Sequence, residues 1–177
     1  MRMRIVYLLM FMFLIFAGCS NQNGHEKSVE PQPDPEPGIT GYVMDKEGQR
    51  ILVVSTEAKD FSGNGGMEEF YDAVWASNPQ KEVELGEQVK IWFEGGVETS
   101  YPGQAAVGKI EIMPSTTPEG AVLSDTEALN RALSKNTFEN EIVTAQSIQY
   151  DADKDEWTIL LKNTDSYEEY PIKVQDK

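Results

Sequence analysis

Apolar positions fall into three textures along this chain of 177 residues. Ile5–Phe16 is an unbroken apolar run of twelve residues, short of the ~20 a helix needs to span a bilayer. Residues 20–38 hold almost no large apolar side chain and carry prolines at positions 31, 33, 35 and 37. Such a segment cannot bury a core and reads as an extended, semi-rigid spacer. From Ile39 short β-type runs alternate with turns. The predicted strands are Thr40–Asp45, Arg50–Ser55, Ala73–Ser77, Gln88–Glu94 and Gly108–Met113, with a hairpin signal at Lys46-Glu47-Gly48-Gln49. Phe61–Tyr71 breaks the pattern and contains Gly63, Gly65 and Gly66, whose freedom at positive φ suits a loop at a barrel mouth. Five short strands with glycine-rich connections predict a small, closed or partly open β-barrel of the OB type.

The texture changes after the linker Ser115–Gly120. Ser124 and Glu127 form a capping-box pattern, and Ala128, Leu129, Ala132 and Leu133 follow as an apolar stripe. Together they predict a helix from Asp125 to about Ser134. Three strands are expected next: Ile142–Tyr150, Trp157–Lys162 and Glu169–Val174. This helix-plus-meander is too small to bury much surface alone, so it is expected to pack on the barrel. The fold expectation is therefore mainly β: residues 39–114 as an OB-like barrel and residues 120–177 as a small α+β module, with 1–18 and 19–38 ahead of them.

The N-terminal run has Arg2 and Arg4 before it and Ala17-Gly18-Cys19 after it, the layout of a signal peptide with a small-residue processing site. It resembles the lipobox of bacterial lipoproteins, which implies a diacylglycerol on Cys19 and cleavage before it. The alternatives are an ordinary secretory signal beside an unrelated cysteine, or an uncleaved anchor. The lipobox reading places the protein on the extracytoplasmic face of the cell membrane, tethered through lipid, with 19–38 lifting the folded part away.

Charge narrows the partners. The chain has 30 acidic and 15 basic residues. Without Arg2 and Arg4 the processed form has 30 acids against 13 bases, a net charge of −17. A body this acidic repels phosphate backbones, so nucleic acid is not an expected partner. Anionic headgroups would repel it too, leaving the acyl chains to hold it, and two chains give stable anchoring where one does not. Cys19 is the only cysteine and His25, in the spacer, the only histidine. An internal disulfide and a CxxC centre are excluded on that count, and with its one histidine in the spacer a histidine triad or histidine metal cluster is not expected in the folded part.

Few residues in the folded part suggest chemistry. Asp151, Asp153 and Asp155 alternate as at the start of a calcium loop, but Glu156 and Lys162 stand where that motif needs a glycine and a bidentate acid. A solvated hairpin tip is the expectation, and no metal or cofactor beyond the lipid is called for. Gly63-Asn64-Gly65-Gly66 is no phosphate cradle, because no Gly-Lys-Ser/Thr follows. Serines 55, 62, 77 and 100 lack a histidine, and no motif sets Lys59, Lys81, Lys90 or Lys109 beside one of them. Glu68 and Glu69 leave open a carboxylate-dependent hydrolase, although the preferred reading is not an enzyme. Met67, Phe70 and Tyr71, at the exit of the 61–71 break, are expected to pack in the core, with a reach into a groove as the alternative. The candidate binding face is Trp92, Tyr101, Pro102 and Gln104: Trp92 alternates with Ile91 and Phe93, and Tyr101 sits in a turn with little packing reason to be there. The competing reading puts Trp75 and Trp92 in the core.

Gly41-Tyr42-Val43, the strand at 51–55, Ala73–Ser77 and the stretch 85–112, with its turn Ser100-Tyr101-Pro102-Gly103-Gln104, resemble the YobA-like lipoproteins of Bacillus relatives. That family is of unknown function; the resemblance implies an OB-like barrel on a surface lipoprotein and no activity. The C-terminal module loosely resembles PepSY-type modules, some of which inhibit proteases. These readings converge on a binding or accessory module at the cell envelope, recognising an envelope protein or a cell-wall component. The alternatives are the hydrolase and a modulator of a surface protease.

Overall fold

The computed structural model describes residues 35–138 and 140–177, so Cys19 and His25 lie outside the described residues. Strands β1 (Ile39–Glu47), β2 (Arg50–Lys59), β3 (Phe70–Ser77), β4 (Gln88–Glu98) and β5 (Gly103–Ile112) close into a barrel in the order β1-β2-β3-β5-β4. All neighbours are antiparallel except β3 and β5, which run parallel. This is the mainly β, OB-like barrel that the sequence predicts. Its interior is filled by inward residues such as Val43, Val53, Val89 and Ile91, each fully buried.

Strands β2 to β5 each run three or more residues beyond their sequence signal, and in β5 and β2 a bulge is the shared reason. Trp92 pairs with Lys109 and Phe93 with Val107, so Gly108 is the extra residue of a β-bulge. The glycine that looks like the start of a strand sits inside one, and β5 begins at Gly103. In β2 the register slips between Val54 and Ala58. Ser55–Glu57 bulge there, with the Ser55 hydroxyl closing on Glu57.

An outer layer covers one side of the barrel. Helix α1 (Asp125–Lys135) is followed by β6 (Val143–Asp151), β7 (Glu156–Asn163) and β8 (Glu169–Gln175), an antiparallel sheet in that order. The capping box forms as read: Glu127 N–H donates to Ser124 Oγ at 3.2 Å, and Ser124 N–H to Glu127 Oε2 at 2.8 Å. The apolar stripe of α1 meets Trp157, Ile159, Leu161 and Val174 from the sheet. Met44, Leu52, Val54, Tyr71 and Ala73 join the same cluster from the outside of the barrel. Strands β2 and β3 are thus buried on both faces, which is why Ile51–Val54 reads as a continuous apolar run rather than an alternating one.

Two contacts fasten the layers, and a third closes the outer layer on itself. Thr144 Oγ1, fully buried, donates to the Ser55 carbonyl at 2.7 Å. Gly86, at φ +84°, lets the β3–β4 connection touch the helix backbone, and Asn130 Nδ2 donates to the Leu85 carbonyl at 2.9 Å. Asp176 is 1% exposed; its carboxylate accepts from Val122 N–H, Leu123 N–H and Trp157 Nε1–H at 2.7–3.0 Å. At the sheet's margins, β6 lies against β2 while β8 carries Pro171.

Candidate functional site

One end of the barrel gathers three connections: the β2–β3 loop (residues 60–69), the β4–β5 turn (99–102) and the β7–β8 turn (164–168). The β2–β3 loop is compact. Its ends are pinned by Phe61 N–H to the Met67 carbonyl at 2.8 Å, and Gly66 N–H returns to the Phe61 carbonyl at 3.0 Å. The β7–β8 turn is built on Asn163, whose Oδ1 accepts from Asp165 N–H and Ser166 N–H at 2.8 and 2.9 Å. Between them runs a groove of about 560 Å³. One wall is apolar: Met67, Phe70 and Tyr101 from the barrel, with Ile142 at its floor. The other wall is polar and contains the carboxylates of Glu141 and Asp165.

Phe61, Phe70 and Tyr101 form a chain of tilted rings with successive centroids 5.6 Å apart, a favourable aromatic spacing. Among the described residues, four of the five exposed large apolar residues belong to this end of the barrel: Phe61, Met67, Val97 and Tyr101. Small domains seldom cluster exposed apolar surface without use for it.

Tyr101 is 44% exposed, yet it is packed. Its ring leans on Phe70, and its hydroxyl donates to Thr164 Oγ1 at 2.8 Å, with the Tyr71 carbonyl 3.2 Å away. A turn position therefore does not leave it idle: it bridges barrel and meander. Burial, then the nearby carboxylates of Asp72 and Asp165, raise its pKa, keeping the phenol protonated as a donor. Pro102 follows across a cis peptide bond and is half-buried. Gln104 is exposed on β5, beside Trp75 and Glu98 in the register.

Trp92 is not part of this site. Its partner Lys109 lies five residues along β5 from Gln104, a separation of about 16 Å at strand rise. Its indole N–H donates to the Pro35 carbonyl at 2.6 Å, and Lys109 Nζ sits 4.2 Å above its ring. Trp75 is likewise half-buried on the barrel's outside under Arg50, at 4.6 Å. Neither fills the barrel interior. Of the loop residues expected in the core, Tyr71 is there at 2% exposure, while Met67 and Phe70 line the groove. Glu141, Thr164 and Asp165 carry no local signal; only the docking of the meander brings them to Tyr101.

Just behind the groove, Glu69 pairs with Lys162 Nζ at 2.5 Å and accepts a hydrogen bond from the Tyr71 hydroxyl. The Lys162 contact first, and the Tyr71 bond second, hold the Glu69 carboxyl below the usual carboxylate range. Burial and Glu69 push Tyr71 up to about 12. The Glu69–Lys162 ion pair ties the loop to β7. Tyr167 completes the tie by donating from its hydroxyl to the Glu69 carbonyl at 2.7 Å. At the far hairpin, Asp151 accepts from the backbone N–H of Asp153 and of Lys154. Asp155 takes the Tyr150 hydroxyl and Lys177. Among the described residues, no three Asp, Glu, His or Cys side chains are grouped to hold a metal ion.

Residues 40–114 match the family described as "Protein of unknown function (DUF3221)". The DUF3221 match runs from the second residue of β1 to just beyond β5. It therefore contains the apolar wall of the groove and stops short of the helix and meander that supply the acidic wall. The chain is similar, over its barrel, to a domain of unknown function. No curated protein and no solved structure matches the chain.

Proposed function

We propose that this protein is a lipid-anchored, extracytoplasmic binding module of the cell envelope, of the YobA-like kind, tethered through Cys19. The groove between the barrel end and the meander is its binding site, for a segment of an envelope protein or a wall component. The observation that supports this reading is the gathering of Phe61, Met67, Phe70 and Tyr101 on one open surface, where loops set on a rigid barrel commonly carry recognition. The module's loosely PepSY-like pattern adds surface proteases to the candidate partners, because residues 163–166 form one side of the groove.

Crosslinking capture on intact cells tests the reading, with the full-length protein run beside Met67→Ala and Tyr101→Ala. Met67 has no side-chain hydrogen bond to lose, so that variant separates binding from folding. One partner captured by the parent and lost in both variants is the expected result; unchanged capture in Met67→Ala refutes the site. The anchor has its own test: Cys19→Ser abolishes labelling by radioactive fatty acid, and retained label refutes lipidation at this residue.

A further inference from the structure

Among the described residues, the groove is lined by carboxylates and by no cation. Glu141 and Asp165 face it, and none of the Lys or Arg side chains does. Seven ion pairs form among the described residues, and neither Glu141 nor Asp165 belongs to any of them. Among the described residues, Glu141 receives only neutral donors on one oxygen, Asn163 Nδ2 at 3.1 Å and the Tyr170 hydroxyl at 2.9 Å. The Asp165 side chain has no hydrogen-bond partner among the described residues; only its backbone N–H is engaged, with Asn163 Oδ1.

The aromatic wall likewise carries no positive charge of its own. The chain places its cations over Trp75, Trp92 and Tyr167, and, among the described residues, none over Phe61, Phe70 or Tyr101. A ring face next to carboxylates that hold no ion-pair partner among the described residues attracts a cation by both its quadrupole and the local field. A second copy of this chain is a poor occupant, since its net charge has the same sign. The groove's volume suits a few side chains rather than a whole domain face.

We infer that the groove receives an extended segment of a partner protein that presents an arginine or lysine to Asp165 and Glu141 and an adjacent apolar side chain to Met67, Phe70 and Tyr101. This rests on the binding-module reading and narrows it to one partner chemistry. The cation supplies orientation and salt sensitivity, and the apolar neighbour supplies the buried area.

The test uses the full-length protein in phosphatidylcholine nanodiscs and end-blocked octapeptides of alternating arginine–leucine, glutamine–leucine and glutamate–leucine, with chitotetraose as a glycan probe. The arginine–leucine peptide is expected to bind, with affinity falling as salt rises. Asp165→Asn should weaken it roughly fivefold, as loss of one charge pair does, and Asp165→Lys should weaken it further. Met67→Ala should weaken both the arginine and glutamine peptides. Glu119→Gln, an exposed acid beyond the groove, is the control for the general acidity of the chain. Absence of arginine-peptide binding, or equal weakening by Glu119→Gln and Asp165→Asn, overturns the inference, as does chitotetraose binding that Asp165→Asn leaves intact while the peptides fail. If cell-surface capture is lost with Met67→Ala but unchanged with Asp165→Asn, the binding module stands and its cationic specificity falls. If Met67→Ala leaves capture intact, the binding module itself falls.

Discussion

Gly86 is where the barrel meets the helix most closely, and replacing it by alanine tests the docking of the two layers. A Cβ at this position would lie 2.7 Å from the Thr126 carbonyl oxygen and 2.8 Å from Asn130 N. These are the partners of one i→i−4 bond of α1, so the clash falls on helix backbone rather than on a side chain that can swing away. The residue also sits at φ +84°, where a non-glycine residue costs about 1–2 kcal/mol. Ordinary contact begins near 3.4 Å, so the helix must retreat by several tenths of an ångström or the β3–β4 connection must let go of β1. Gly86 N–H donates to the Val43 carbonyl at 2.8 Å and Val43 N–H to the Glu87 carbonyl at 2.9 Å, which resists the second option. Overpacking of this kind costs about 1–3 kcal/mol more, against a gain of about 0.4–1 kcal/mol from a stiffer unfolded chain. Gly86→Ala is therefore expected to lose about 2–4 kcal/mol. Gly48 supplies the control: it has φ +58°, and a Cβ there would meet nothing within 4 Å, so Gly48→Ala should lose about 1 kcal/mol or less. Urea unfolding followed by tryptophan fluorescence, to which Trp157, fully buried between the layers, contributes, measures both. Equal midpoints for the two variants would refute the close approach of barrel and helix.

Two further outcomes are expected. Burial alone would raise the Asp176 pKa, but hydrogen bonds from Leu123, Trp157 and Val122 outweigh it and hold the carboxyl low. Its ionised form therefore stabilises the fold above the ordinary aspartate value of 3.8, and that share is lost as the pH falls through the folded value. Asp176→Asn should be weaker than the parent at neutral pH, and urea midpoints through an acid series should converge; a constant gap would show that the carboxylate's charge is not what matters. Tyr101→Phe should lose about 1 kcal/mol despite the residue's exposure, because the Thr164 bond goes with the hydroxyl. A neutral result in urea would mean that the tyrosine does not join barrel and meander.

What the sequence conveys here depends on how local the cause is. The capping box at Ser124 and Glu127 is complete within four residues, and the helix bounds come out within one residue of it. Strand runs rich in Val, Ile and Trp are legible because their β-branched and aromatic side chains carry the signal. Residues 103–107, Gly-Gln-Ala-Ala-Val, lack it, and the start of β5 is set instead by pairing with β3 and β4. Alternation tells that Trp92 faces away from Ile91, but its cover of Pro35 and Lys109 comes from elsewhere in the chain. The groove is legible by half. Tyr101 stands out as an aromatic turn residue, whereas Asp165 lies 64 positions later and becomes its neighbour only when the meander docks.

Closure of the barrel also governs how copies of this protein behave when crowded together. A closed sheet has no open row of backbone N–H and C=O groups, so the five-stranded part offers no template for strand addition. The meander has two margins: one rests against β2, and the other, β8, is interrupted by Pro171, which has no N–H to give a new strand. Concentrating many copies on a two-dimensional surface therefore does not line up edges for cross-β stacking. The fold can be held at high local density while most of its exposed large apolar residues, among those described, stay gathered at one end of the barrel.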